Sequence, residues 1–147
     1  MINLSEYLDY WAQMPERISG LRSVMAVTVD QEMGTVIQGL KSETCPILFV
    51  IIPSSRSDAR DVDGYMEENQ AVVFVMDRYD AQRGGAVRAL IDTQPIMEAI
   101  KRTLLDDVAA GCPVLGRLNV GSLSTIPETG FFRSFGGWSL GFSFYTE

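Results

Sequence analysis

The sequence predicts an α/β (α+β) fold: a mixed, largely antiparallel sheet flanked by an N-terminal helix and a long helix, and closed by a C-terminal β-hairpin. Three observations predict it. Trp138, Leu140, Phe142 and Phe144 fall on one parity and Ser139, Gly141 and Ser143 on the other, so the chain closes on a strand that must be paired and packed. Cys45 to Pro53 and Ala71 to Asp77 are apolar on both parities, as strands covered on both faces are. A helical stripe of Leu90, Ile91, Met97, Ile100, Leu104, Leu105 and Val108 runs through residues 87–110.

The elements follow in order. Asn3 or Ser5 caps a first helix with Glu6 in its first turn; Leu4, Tyr7, Leu8, Trp11 and Met14 form its stripe, and Pro15 and Gly20 close it. Ser23 to Val29 is rich in β-branched residues and reads as a short strand. From Asp30, a plausible N-cap, Met33, Ile37 and Leu40 share a helical face up to Lys41. Gly34 and Gly39 weaken that helix, and a hairpin turning at Met33-Gly34 is the alternative. Pro46 and Pro53 bound the first central strand because proline cannot donate to a ladder. The polar segment from Ser54 to Gln70 reads as a long excursion or a lid. The strands on either side of it are expected to be antiparallel neighbours.

Residues 78–85 read as a turn ending in Gly84-Gly85. In the long helix, Pro95 either introduces a kink or starts a second helix with Thr93 as its cap, and Gly111 is the stop. Leu118, Val120 and Ser122 alternate toward Pro127 as another strand. Gly136-Gly137 reads as the two-residue turn of the final hairpin. That turn sets Phe135 against Trp138, Arg133 against Leu140 and Phe131 against Phe142.

Length and composition bound the function. The 147 residues suit a single domain, 1–147, with 46% hydrophobic and 21% charged residues. A net charge of −7 argues against general nucleic-acid binding. Ten of the 12 basic residues are Arg, which suits fixed interface pairs. No His is present, which removes His-based triads and His-ligated metals. The first residues carry no secretory pattern and no run is long enough for a membrane span, so a cytoplasmic protein is expected.

No motif nominates catalysis, a metal or a cofactor. Ala59 to Gly64 resembles part of a calcium loop, but Ala59 and Gln70 occupy positions where ligands are required. Cys45-Pro46 and Cys112-Pro113 lack a base that would form thiolate, so inert cysteines at strand starts are expected. Asp106-Asp107 and Glu67-Glu68 read as solvated faces, and the first pair forms no catalytic dyad by itself because neighbours on a helix point apart. The mixed-sign cluster Arg56, Asp58, Arg60, Asp61 and Asp63 suits a subunit interface in which Arg of one copy meets Asp of the next.

The order of elements, with Leu4, Leu8 and Trp11 in the first helix, Cys45-Pro46-Ile47-Leu48 entering one strand, Val73-Phe74-Val75 in the next and Gly137-Trp138 with Phe142 and Phe144 at the end, resembles phage tail-completion or tail-terminator (neck) proteins. The likeness is to small prophage-encoded forms from Bacteroidetes-type bacteria, with Ser139 where similar chains carry Arg. The resemblance implies a homo-oligomeric ring, commonly a hexamer, that caps a tail tube and faces head-neck proteins. It implies no catalysis, no cofactor, and a place in the host cytoplasm or the virion. The alternative is a small-ligand or regulatory binding domain without catalysis, its pocket between sheet and long helix lined by Met97, Met76 and aromatics.

Overall fold

The computed structural model describes residues 1–28, 30–130 and 134–147, with residues 30–32 by backbone alone. Its elements are α1 (Leu4–Ala12), α2 (Met14–Arg17), β1 (Ser23–Val27), α3 (Asp30–Gly39), β2 (Ile47–Ile51), β3 (Ser54–Ser57), β4 (Glu67–Arg78), α4 (Gly85–Ala109), β5 (Leu118–Glu128) and β6 (Phe135–Thr146). They form an α+β fold on one six-stranded sheet in the order β1-β2-β4-β6-β5, with β3 beside the first half of β4. Among the described residues β1 and β2 pair in parallel and the other pairings are antiparallel.

Both faces of the sheet are covered, as two-parity apolar strands require. Leu48, Val50, Val73, Val75, Leu140, Phe142 and Phe144 meet Tyr7, Trp11, Met14, Met97, Ile100 and Leu104 from α1, α2 and α4. On the other face Ile47, Phe49, Phe74, Met76 and Phe135 meet Met33 and Ile37 of α3. The register explains the division. Val50, Val73 and Leu140 stand in one row across the sheet, and Phe49, Phe74 and Ser139 in the next, so one step along a strand changes faces. Tyr7 stacks on Phe144 with ring centroids 6.0 Å apart, and Trp11 lies 6.1 Å from Phe142, so the first helix is fastened to the last strand.

The C-terminal strand is the most heavily paired element. β6 lies between β4 and β5, and twelve of its residues register with Glu67 to Arg78. Its small-residue parity is not bare: Ser139 and Ser143 are buried. Ser139 Oγ donates to Glu128 Oε1 at 2.9 Å. β5 bulges between Asn119 and Ser124. There Ser122 Oγ accepts from the Ser143 N–H at 2.8 Å and donates to the Asn119 carbonyl at 2.6 Å, replacing ladder bonds that the bulge removes.

Several expectations are corrected. The first helix ends at Ala12, and Pro15 lies in the first turn of the separate α2, where its missing N–H costs nothing. Of the two readings offered for the segment from Asp30 to Lys41, the structure bears out the helix, over Asp30–Gly39. The expected Asp30 cap depends on a side chain outside the described residues. The excursion from Ser54 is neither lid nor open loop at its base, because β3 pairs with residues 67–70 and extends the hairpin begun by β2 and β4. Pro95 lies inside one continuous α4. Thr93 is no cap: its Oγ1 donates to the Ala89 carbonyl at 2.6 Å. Gly84 and Gly85 do form the expected turn, at φ 102° and 61°.

The final hairpin forms, but its turn is not at Gly136-Gly137. Both glycines lie within β6, opposite Asp77 and Met76, and a Cβ on Gly137 would stand 1.8 Å from the Val75 carbonyl oxygen. Close strand approach requires glycine there. Phe135 therefore pairs with Arg78, Trp138 with Val75 and Pro127, Leu140 with Val73 and Thr125, and Phe142 with Ala71. Phe131 and Arg133, expected opposite Phe142 and Leu140, lie outside the described residues.

Candidate interaction surface

The sequence-predicted cluster lies on one β-arm. Arg56 is on β3, opposite Glu68 of β4, and its Nε donates to Glu68 Oε2 at 2.7 Å. That carboxylate raises the Arg56 guanidinium above its ordinary value. Asp58 N–H donates to the Met66 carbonyl at 2.9 Å and closes the loop of residues 58–66. Within it, Asp61 Oδ1 accepts from the Gly64 N–H at 2.8 Å, a side-chain turn that needs no cation. Arg56, Asp58, Arg60, Asp61 and Asp63 are all exposed. Only Arg56 is spent on an in-chain carboxylate; the others are grouped by the loop and remain open to solvent.

Two residues that sequence reasoning missed stand among them. Val62 is 90% exposed and Tyr65 is 48% exposed. An apolar side chain this bare on a charged tip gains nothing from its own fold. The base of the arm is firmly held. Glu67 accepts from Tyr65 Oη at 2.6 Å and Ser55 Oγ at 3.0 Å, and it pairs with the Met1 amino group. The amino group first, then the two hydroxyls, holds the Glu67 carboxyl down at about 2.

A second polar constellation joins the helices. Arg17 grips Asp107 with two bonds of 2.7 and 2.8 Å, and Tyr10 Oη donates to Asp107 Oδ2 at 2.8 Å. Asp107 is thus a bridge between α1, α2 and α4, not the solvated carboxylate expected; Asp106 beside it is exposed. Arg17 holds the Asp107 carboxyl below its usual range. Burial and the adjacent carboxylate push the Tyr10 hydroxyl far up. A cleft of about 390 Å³ beside them is lined by Cys112, Gly111 and Pro113. Its two opposite charges, Arg17 and Asp107, are paired with each other. Cys45 is buried, and burial raises its thiol.

Met97 and Met76 do not line one pocket between the sheet and the long helix. These side chains belong to separate cores on opposite faces of the sheet. Met97 instead floors a cleft of about 140 Å³ with Trp138, rimmed by Gln94, Glu98, Lys101 and Thr125. A wider groove of about 490 Å³ opens on the α3 face beside Ile51, Ile52, Gln70 and Val72.

Among the described residues no group of three His, Cys, Asp or Glu could hold a metal ion, and no helix is long and apolar enough to cross a membrane. No family model and no curated protein matches the chain.

Proposed function

We propose that the chain is a non-catalytic assembly protein that acts through its surfaces, as a ring-forming tail-terminator or neck component of a phage particle would. The supporting observation is the arm: a paired, charged β-ribbon whose tip carries Val62 and Tyr65 exposed among Arg60, Asp61 and Asp63. Opposite charges around an apolar centre suit contact with another copy of the chain, Arg60 meeting Asp61 or Asp63 across the junction. In this reading the partners are further copies, a tail tube and head-neck proteins, with no nucleic acid or cofactor, and assembly takes place in the host cytoplasm.

Sedimentation velocity and negative-stain imaging test it, with and without purified tail tubes. The expected result is closed rings that Val62→Glu or Arg60→Glu disperses. A strict monomer that ignores tubes, with both variants sedimenting like the parent, overturns the reading. A second reading, a small-ligand or regulatory binding domain, is favoured by the 490 Å³ groove beside Val72 and predicts a ligand-dependent rise in melting temperature.

A further inference from the structure

The outward face of α4 carries a pattern that the core does not use. Ala89, Thr93, Ile96, Met97, Ile100 and Leu104 bury the inner face against the sheet. On the opposite face Val87 is 64%, Ile91 55% and Leu105 36% exposed, the three following the helical repeat. Along one flank of that apolar line run Arg88, Asp92, Arg102 and Asp106, all exposed.

Read from the opposite end, the order of those charges is the same with every sign exchanged. Arg88 and Asp92 are four residues apart near the start of the helix and pair with each other in the single chain, Nε to Oδ1 at 3.1 Å, an exposed pair that a second copy would have to share; Arg102 and Asp106 are four apart near its end. Two antiparallel copies centred near Met97 bring Arg88 opposite the second copy's Asp106, and Asp92 opposite its Arg102. A twofold axis makes each pair occur twice. In antiparallel helices the same flank of each copy faces its counterpart, so the charges meet each other and not the apolar line. Val87 falls about 3 Å along the axis from the level of the second copy's Leu105, close enough for contact. Glu98 lies nearest the axis, where two like charges would repel, but Lys101 Nζ neutralises it at 2.7 Å within each chain.

We propose that the outer face of α4 is a self-complementary docking surface for a second copy of this chain, packed antiparallel with Arg88 on Asp106 and Asp92 on Arg102. The occupant follows from charge. The chain carries −7 overall, so two copies repel at long range, yet this flank is neutral and antisymmetric and fits its own image. This surface lies apart from the arm and goes beyond the ring reading.

Charge reversal tests the register. Sedimentation equilibrium over a wide concentration range, on the full chain at low salt, is expected to show a reversible dimer. Arg88→Asp alone and Asp106→Arg alone each place like charges opposite each other twice and should raise the dimer dissociation constant about tenfold or more. The double variant Arg88→Asp/Asp106→Arg restores opposite signs and should return the constant to within about threefold of the parent. Far-ultraviolet circular dichroism confirms that each variant keeps its helix, since all four residues are exposed. A parent that stays monomeric at every concentration, a dimer indifferent to the single reversals, or one that the double reversal fails to rescue overturns the proposal. Arm variants leave this dimer unchanged, so its failure is separable from failure of the ring reading.

Discussion

The indole Nε1 of Trp138 donates to the Leu90 carbonyl oxygen at 2.9 Å, joining the last strand to the long helix beside Pro95. Pro95 has no N–H to offer the carbonyl one turn behind it, Ile91, which adjoins Leu90, and its ring crowds this part of the helix. A donor from β6 thus supports the backbone where the helix is weakest. Trp138→Phe keeps an aromatic side chain and removes the donor with the pyrrole half of the indole. It should cost about 1–2 kcal/mol in urea-induced unfolding, with the slope unchanged. A loss no larger than that of an exposed substitution would show that the bond contributes nothing.

Gly136 and Gly137 of β6 should respond differently to a methyl group. Gly137→Ala drives a Cβ into the Val75 carbonyl, a backbone atom that cannot step aside, and should cost about 3 kcal/mol or more. Gly136→Ala meets Ala89 Cβ at 3.4 Å and should be tolerated within about 1 kcal/mol. Thermal melts of the pair decide it, and equal effects would contradict the register.

Acid stability should depend on Asp107 and Glu67. Both carboxyls are depressed in the folded chain, Asp107 by Arg17 and Glu67 to about 2 by the Met1 amino group. Their contribution is present above the ordinary carboxylate value and is lost as pH falls through the folded one. Asp107→Asn should therefore lower stability at neutral pH, by about 1 kcal/mol for a half-exposed pair, and flatten the decline below pH about 4. An acid limb identical to the parent's would remove Asp107 from this role.

The alkaline side should depend on tyrosine. Tyr7 and Tyr10 are both raised well above 10.0, Tyr7 by burial and Tyr10 by burial with Asp107. Folding thus favours the protonated hydroxyl, and stability falls once pH exceeds the unfolded value. Tyrosinate absorbance should include a late stage in which Tyr7 and Tyr10 ionise together with unfolding. Tyr7→Phe should soften that late stage. A single early titration of all five tyrosines would show that neither is protected.

The parts of the fold that were legible in the sequence are those where one residue's pattern reports its own environment. Phe142 and Phe144 share a parity, and both are buried against α1; Leu48 and Phe49 are apolar on successive parities, and each faces a different core. What was hidden depends on a distant partner. Gly136-Gly137 has the composition of a turn, and only the approach of Val75 shows why a strand needs it. Ser54 to Ser57 has no apolar alternation, so its pairing appears only when β4 is seen to run on to Glu67. The arm cluster was found from its mixed charge, but Val62 escaped because exposure of a lone valine leaves no local trace. Asp107 was read as solvated because its partner Arg17 lies ninety residues away.

Because β6 lies between β4 and β5, a ribosome delivers an interior strand of this sheet last. Until residues 135–146 emerge, Val73 and Val75 have an open ladder beside them, and Trp11 has no Phe142 beneath it. The nascent polypeptide must hold two half-built layers in waiting, and the sheet closes only through contacts spanning most of the chain. Translation that halts short of Phe135 should therefore yield a sticky, protease-sensitive fragment in place of a smaller version of the domain.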